Sequence, residues 1–206
     1  MQTQQAPAAP ELASVAKRDI IVIGASAGGV EALVELFRGL PRGLTAAMFV
    51  VLHTNPNGQT RLADVLSRQA RLPAHFAQDQ EKVGFGKIYV APSNRHLMLE
   101  DRKVLVTMAP KENRNRPAIN PLFRTAAEAY GPRVIGVVLT GMLDDGTAGL
   151  WEIKRRGGIA VVQAPGDAAY PQMPTNAIAN VDVDHVVPID EMSNLLVSLC
   201  QCEAES

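Results

Sequence analysis

Apolar positions recur along the chain with two periods, and the places where one period gives way to the other predict the elements. The β-branched run Ile20 to Ile23 ends at Gly24, and beyond Gly28-Gly29 the apolar positions move to Val30, Leu33, Val34 and Phe37. A short continuous apolar run reads as a buried strand and i, i+3, i+4 spacing as a helix, so this segment is strand, glycine turn, helix. Ala47 to Leu52 predicts a second buried strand, and Leu62, Val65, Leu66 and Gln69 set the spacing of a helix expected over 58–70. From Pro73 to Met108 the helical period disappears. Lys87 to Ala91 reads as extended, and His96 to Leu99 with Val104 to Met108 reads as a hairpin around Glu100-Asp101-Arg102-Lys103. After a polar loop, Lys111 to Pro117, a helix is expected from Ile119 to Tyr130 and a strand from Val134 to Leu139, broken by Gly141 to Gly146. A helix from Thr147 to Arg156, a strand Ile159 to Val162, a helix around Thr175 to Ala179, a strand His185 to Val187 and a last helix from Asp190 complete the pattern. Strands alternating with helices predict an α/β fold, a mainly parallel sheet wrapped by helices, with one antiparallel hairpin inserted.

Length and composition narrow the class. At 206 residues, 47% apolar and 20% charged, the chain has material for one buried core. Residues 1–17, rich in Gln, Ala and Pro, read as a flexible tail, residues 18–199 as the folded domain and residues 200–206 as a C-terminal tail. No apolar run approaches the roughly 18 residues that span a bilayer, and no basic-then-apolar leader precedes the first strand, so a cytoplasmic protein without membrane insertion is expected. Twenty basic against 21 acidic residues give a net charge of −1, which lacks the excess that binding to nucleic acid demands. Cys200 and Cys202 have no other cysteine to pair with across the fold, so they read as two incidental thiols at a frayed end.

Loops that leave the carboxyl ends of parallel strands converge on one edge of the sheet, and three of them carry chemistry. The first, Gly24-Ala25-Ser26-Ala27-Gly28-Gly29, satisfies G-x-S-x-G, in which small neighbours allow a sharp turn that exposes a serine at a helix N-terminus. The same residues are compatible with a tight turn whose serine only caps the helix. A phosphate cradle is disfavoured, because Val30-Glu31 stands where a Walker loop needs Lys-Ser/Thr. The second loop opens with His53, a base for a serine if the strands are neighbours, or a structural histidine. The third, Thr140 to Gly146, holds Asp144 and Asp145, either of which can orient a histidine or cap the following helix. His75 and His185 flank or enter strands and His96 begins the hairpin; none has metal-ligand spacing, so neither metal nor cofactor is expected. Serine, histidine and aspartate at three strand exits suggest a nucleophilic triad. Its order, and a nucleophile after the first strand, differ from the α/β-hydrolase pattern.

At these loops the sequence resembles the catalytic domain of the CheB-type chemotaxis methylesterases, protein-glutamate methylesterases that also deamidate receptor glutamines. IVIGASAGGVEAL resembles that family's nucleophile segment, VVLH its histidine segment and GVVLTGMLDDGTAGL its aspartate segment, with further similarity in YVAPSNRHLML, ENRNRPAINPLF and MPTNAI. The similarity runs over about 18–198. It implies a doubly wound sheet, Ser26 as nucleophile, His53 as base and Asp145 as the orienting acid, since the GM-x-x-DG pattern aligns the second aspartate. Met142 matches a site-lining methionine, and its amide or those of the Ser26 turn at Ala27 would bind the oxyanion. Departures are Ala27 for a hydroxyl residue, Leu143 for a glycine, Asn115 for a histidine, and Thr54-Asn55 for Met-Pro.

The resemblance further implies a methylated chemoreceptor as substrate, met by a shallow groove where Arg114 and Arg116 contact acidic receptor helices or are simply solvated. Seventeen residues are too few for the receiver domain that precedes the esterase in much of the family. An open site whose activity needs no phosphodonor is therefore expected, and any regulation would have to come from a receiver or scaffold protein in trans. The alternative from another class is a noncatalytic module that keeps the fold and binds a receptor or signalling partner.

Overall fold

A computed structural model describes residues 17–53 and 61–201. Its centre is a seven-stranded, all-parallel sheet built from β1 (Ile20–Ala25), β2 (Ala47–Leu52), β3 (Ala74–Phe76), β4 (Lys87–Val90), β7 (Val134–Val138), β8 (Ile159–Gln163) and β9 (His185–Val187), in the order β3-β4-β2-β1-β7-β8-β9. The chain winds outward from β1 in both directions. The hairpin β5 (His96–Glu100) and β6 (Lys103–Thr107) forms a separate antiparallel pair, as its sequence predicted.

The central strands are buried on both faces, which is why β1 and β2 read as unbroken apolar runs. Alternate residues serve alternate layers. Ile21, Ile23, Met48, Val50, Ile135 and Val137 pack under α1 (Gly29–Gly39), α2 (Leu62–Gln69) and α6 (Ile189–Gln201). Ile20, Val22, Phe49, Val51, Val134 and Val138 pack with the hairpin under α3 (Ile119–Tyr130), α4 (Thr147–Arg155) and α5 (Gln172–Asn180). The result is a three-layer, doubly wound αβα sandwich.

Several boundaries differ from the sequence pattern. The edge strand β3 was not anticipated, because its three half-buried residues, Ala-His-Phe, carry no apolar run. Helix α5 starts at Gln172 rather than near Thr175: Pro174 lies in its first turn, where a missing N–H costs nothing. Residues 58–60 of the expected second helix lie outside the described residues, as do Thr54, Asn55 and Cys202. Helix α6 runs through Gln201, so the C-terminal tail expected from residue 200 begins inside a helix. Cys200 packs against the core, and burial, with Asp19 nearby, pushes its thiol up to about 12, unlike a thiol at a frayed end. Among the described residues no helix is long and apolar enough to cross a membrane.

Candidate active site

Because β1 lies between β2 and β7, the three loops carrying candidate chemistry leave adjacent strands. The parallel ladder continues past the strand ends and ties them together. Leu139 N–H donates to Gly24 O (2.9 Å), Ser26 N–H to Thr140 O (3.0 Å) and His53 N–H to Ala25 O (3.1 Å). Gly28 then turns the chain into α1 at φ 73, a left-handed conformation that glycine adopts without the steric penalty of a Cβ. The serine is thereby held at the head of a helix instead of continuing the strand.

Here the side chains meet. The imidazole of His53 faces the Ser26 hydroxyl through Nδ1, at 3.2 Å, and the Asp145 carboxylate through Nε2, at 2.7 Å. With the Nε2 proton donated to Asp145, Nδ1 keeps its lone pair for the serine proton.

Asp145, only 2% exposed, collects donors on both oxygens. Oδ2 accepts from His53 and from Ile119 N–H (2.7 Å), while Oδ1 accepts from Asn113 Nδ2 (3.0 Å), Asn120 N–H (3.2 Å) and Gly146 N–H (3.0 Å). The carboxylate thus sits on the first amides of α3, the positive end of the helix dipole. Burial by itself would raise its pKa. Donation from His53, then from Ile119, outweighs burial and holds the carboxyl below its ordinary range. Gly24 makes this approach possible, since a Cβ there would run into the side chain of Ile119.

Three positioning residues were not singled out from the sequence. Thr140 accepts the Tyr170 N–H on its hydroxyl (2.8 Å) and donates that hydroxyl to Ala27 O (3.0 Å), so one side chain ties the serine turn to the segment before α5. Asn120, buried in α3, accepts Gly146 N–H (3.1 Å) and Gly149 N–H (2.8 Å) on its side-chain oxygen and so caps α4 from another helix. Asn113 reaches Asp145 from the polar loop. Asn113 and Asn120 lie within ENRNRPAINPLF and Thr140 within the aspartate segment, where the signal was present without an assigned role.

Other sequence candidates fall in different places. Met142 is exposed, and among the described residues its amide and that of Ala27 have no acceptor, so both are available to an oxyanion. Asp144 is exposed and makes no side-chain cap to α4, a task Asn120 performs instead. The Arg116 guanidinium is engaged inside the fold, donating to Asn94 Oδ1, Met108 O and Ala109 O at 3.0–3.1 Å. Arg114 is exposed. His96 is buried between Pro110 O (3.0 Å) and Ala118 N–H (3.3 Å), and His75 pairs with Glu81 at 3.1 Å, so both are structural. Among the described residues no cluster of three His, Cys, Asp or Glu side chains could hold a metal ion.

Fold and geometry together define an α/β protein with a hydrogen-bonded serine, histidine and aspartate at the carboxyl edge of a doubly wound sheet. The chain belongs to the CheB methylesterase family, whose profile matches residues 21–196. It is similar to a Leptospira interrogans protein carrying the provisional name protein-glutamate methylesterase/protein-glutamine glutaminase, at 36% identity over 91% of this chain and 97% of that one. A protein-glutamate methylesterase/protein-glutamine glutaminase of Anaeromyxobacter dehalogenans is 38% identical over 91% of this chain and 55% of its own length. The crystal structure of the Thermotoga maritima CheB methylesterase catalytic domain superposes with a TM-score of 0.84 and 32% identity, covering 89% of this chain and all of that one.

Proposed function

We propose that the chain is a serine esterase that hydrolyses glutamate γ-methyl esters on chemoreceptors in the cytoplasm, with Ser26, His53 and Asp145 as its triad. The observation that carries this reading is the continuous hydrogen-bonded path from Ser26 Oγ through His53 to Asp145, in a chain whose family is the CheB methylesterases.

The Ser26 oxygen attacks the ester carbonyl carbon as its proton passes to His53 Nδ1. Asp145 stays ionised, keeps the ring in the required tautomer and stabilises the imidazolium. The tetrahedral oxyanion faces the amides of Ala27 and Met142; loss of one such donor typically slows a reaction about 10²- to 10³-fold. The C–O bond to the methoxy group then breaks, and His53 returns its proton so that methanol leaves. Water, deprotonated by the same nitrogen, attacks the acyl-serine and releases glutamate and free serine. With a glutamine side chain the same steps expel ammonia, which is the reading we extend from the glutaminase part of the relatives' names. Arg114, exposed on the polar loop, is the arginine we assign to contact with an acidic receptor helix.

Methanol release from a methylated receptor, with wild type and Ser26→Ala, tests the function. Stoichiometric labelling of Ser26 by a fluorophosphonate is the expected companion result. An inert serine in a protein that binds the receptor tightly would replace the esterase with a binding module.

A further inference from the structure

Leu143 occupies a position suited to glycine. Its φ is 66, a left-handed conformation that places its Cβ against its own backbone. Such strain persists only where the surroundings hold it. They do so here from one helix: Gln172 Oε1 accepts the Leu143 N–H at 2.9 Å, and Asn176 Nδ2 donates to the Leu143 carbonyl at 2.6 Å. These two amides are four residues apart on α5, hence on one face. Both polar backbone groups of a single strained residue are therefore saturated by side chains.

The leucine side chain gains no core packing from this arrangement, being 55% exposed. Together with Trp151, itself 49% exposed, it lines a groove of about 790 Å³ bordered by α3, α4 and α5. Asn113 and Asn120, which line the same groove, both donate to Asp145, so the groove is joined to the carboxylate of the trio through these two residues. An apolar side chain fixed at that edge, two residues from the orienting aspartate, can touch what flanks the scissile ester.

We propose that Leu143 is a specificity-determining residue, a braced apolar lip that engages an apolar side chain within one helical turn of the ester-bearing glutamate, and that Gln172 and Asn176 are its positioning residues. On a substrate helix, residues three or four positions from the ester share its face, which is the spacing such a lip reads. The inference rests on the methylesterase reading above.

The test measures kcat and KM on a methyl-esterified receptor fragment and on a short tripeptide holding γ-methyl glutamate without flanking helix. In Leu143→Gly the preference for the fragment over the tripeptide should fall about tenfold through KM, with kcat on the fragment within about twofold and no lowering of the melting temperature. Leu143→Met should retain the preference. The pair Gln172→Ala and Asn176→Ala should lose it to the same extent and take nothing further from the preference of Leu143→Gly, since the two amides grip the backbone of residue 143 and act on the preference only through where its leucine side chain sits. An unchanged preference in Leu143→Gly, additive losses, or a fall in kcat alone would overturn the proposal while leaving the esterase reading in place. Wild type that turns over neither ester would remove the esterase reading, and this inference with it.

Discussion

At the amino edge of the sheet β1 and β7 are stapled by an ion pair, and at the carboxyl edge the loops after the same strands carry a carboxylate and a serine. Asp19, just before β1, accepts two N–H groups from Arg133, just before β7, both at 2.9 Å, and the guanidinium lies 5.4 Å from the centre of the Tyr130 ring. Each partner remains about a quarter exposed, with side-chain values of 28% and 22%. Asp145 is sealed from water and takes donors from five residues. The difference lies in what the partner has left over. An arginine has no lone pair to offer, so the amino-edge pair ends the matter, whereas the histidine bound to Asp145 keeps a basic nitrogen turned to a hydroxyl. A well-satisfied carboxylate is therefore no mark of function by itself; what distinguishes the two edges is the group the carboxylate orients.

The largest effect that sharpens this contrast is Ser26→Ala. It removes the group at the reactive end while leaving the carboxylate and its donors intact, and turnover should fall by more than about 10⁴-fold with stability within about 0.5 kcal/mol. Methanol release and urea unfolding on the same preparation measure both.

Asp145→Asn should cost about 10⁴-fold in rate through loss of tautomer control, and about 1 to 3 kcal/mol of stability, because an amide NH₂ replaces an acceptor among N–H donors. Asp19→Asn at the other edge should cost only about 0 to 1 kcal/mol, with turnover within about twofold. Equal losses at the two edges would break the comparison. Since the folded-state pKa of Asp145 is depressed, its contribution to stability is full above the unfolded value of about 4 and is lost as the pH falls through the folded value. Urea midpoints measured against pH should therefore show the wild-type advantage over Asp145→Asn shrinking in acid.

Thr140→Val and Asn120→Ala probe the supports. Asn120→Ala leaves the buried Gly149 N–H unpaired and should cost about 1 to 3 kcal/mol, while Thr140→Val strips partners from the half-buried Ala27 carbonyl and the more exposed Tyr170 N–H and should cost about 1 kcal/mol. Thr140→Val should also lower kcat by about tenfold or more, as the serine turn loses its tie to Tyr170. Chemical unfolding and steady-state kinetics distinguish the two.

How far the sequence reaches is clear from the same residues. Unbroken apolar runs disclosed β1, β2 and β7, because strands buried on both faces cannot hide polar positions. That Ser26, His53 and Asp145 would meet was legible because each follows such a run. The short edge strand β3 was not, since Ala-His-Phe carries no period. The supports were invisible for another reason. Thr140, Asn113 and Asn120 act on backbone groups and side chains distant in sequence, and no local pattern states that an asparagine in one helix will cap another. Arg114 and Arg116 look alike in the chain, yet only the fold shows that Arg116 is spent on Asn94 and two carbonyls.

The smallest predicted effect separates the two adjacent acids. From the sequence, Asp144 reads as a cap for α4 beside a catalytic neighbour, and losing such a cap costs about 1 kcal/mol. In the structure Asp144 is exposed and its backbone carbonyl, not its carboxylate, accepts from Thr147 N–H at 3.1 Å. The amides of Gly146 and Gly149, which a cap would serve, are bound by Asn120. Replacing the carboxylate therefore removes no hydrogen bond, and the like charge it places beside Asp145 is screened by solvent. Asp144→Asn should unfold in urea within about 0.5 kcal/mol of wild type. A loss near 1 kcal/mol, alongside an Asn120→Ala variant of wild-type stability, would return the cap to Asp144 and reassign the support beneath Asp145.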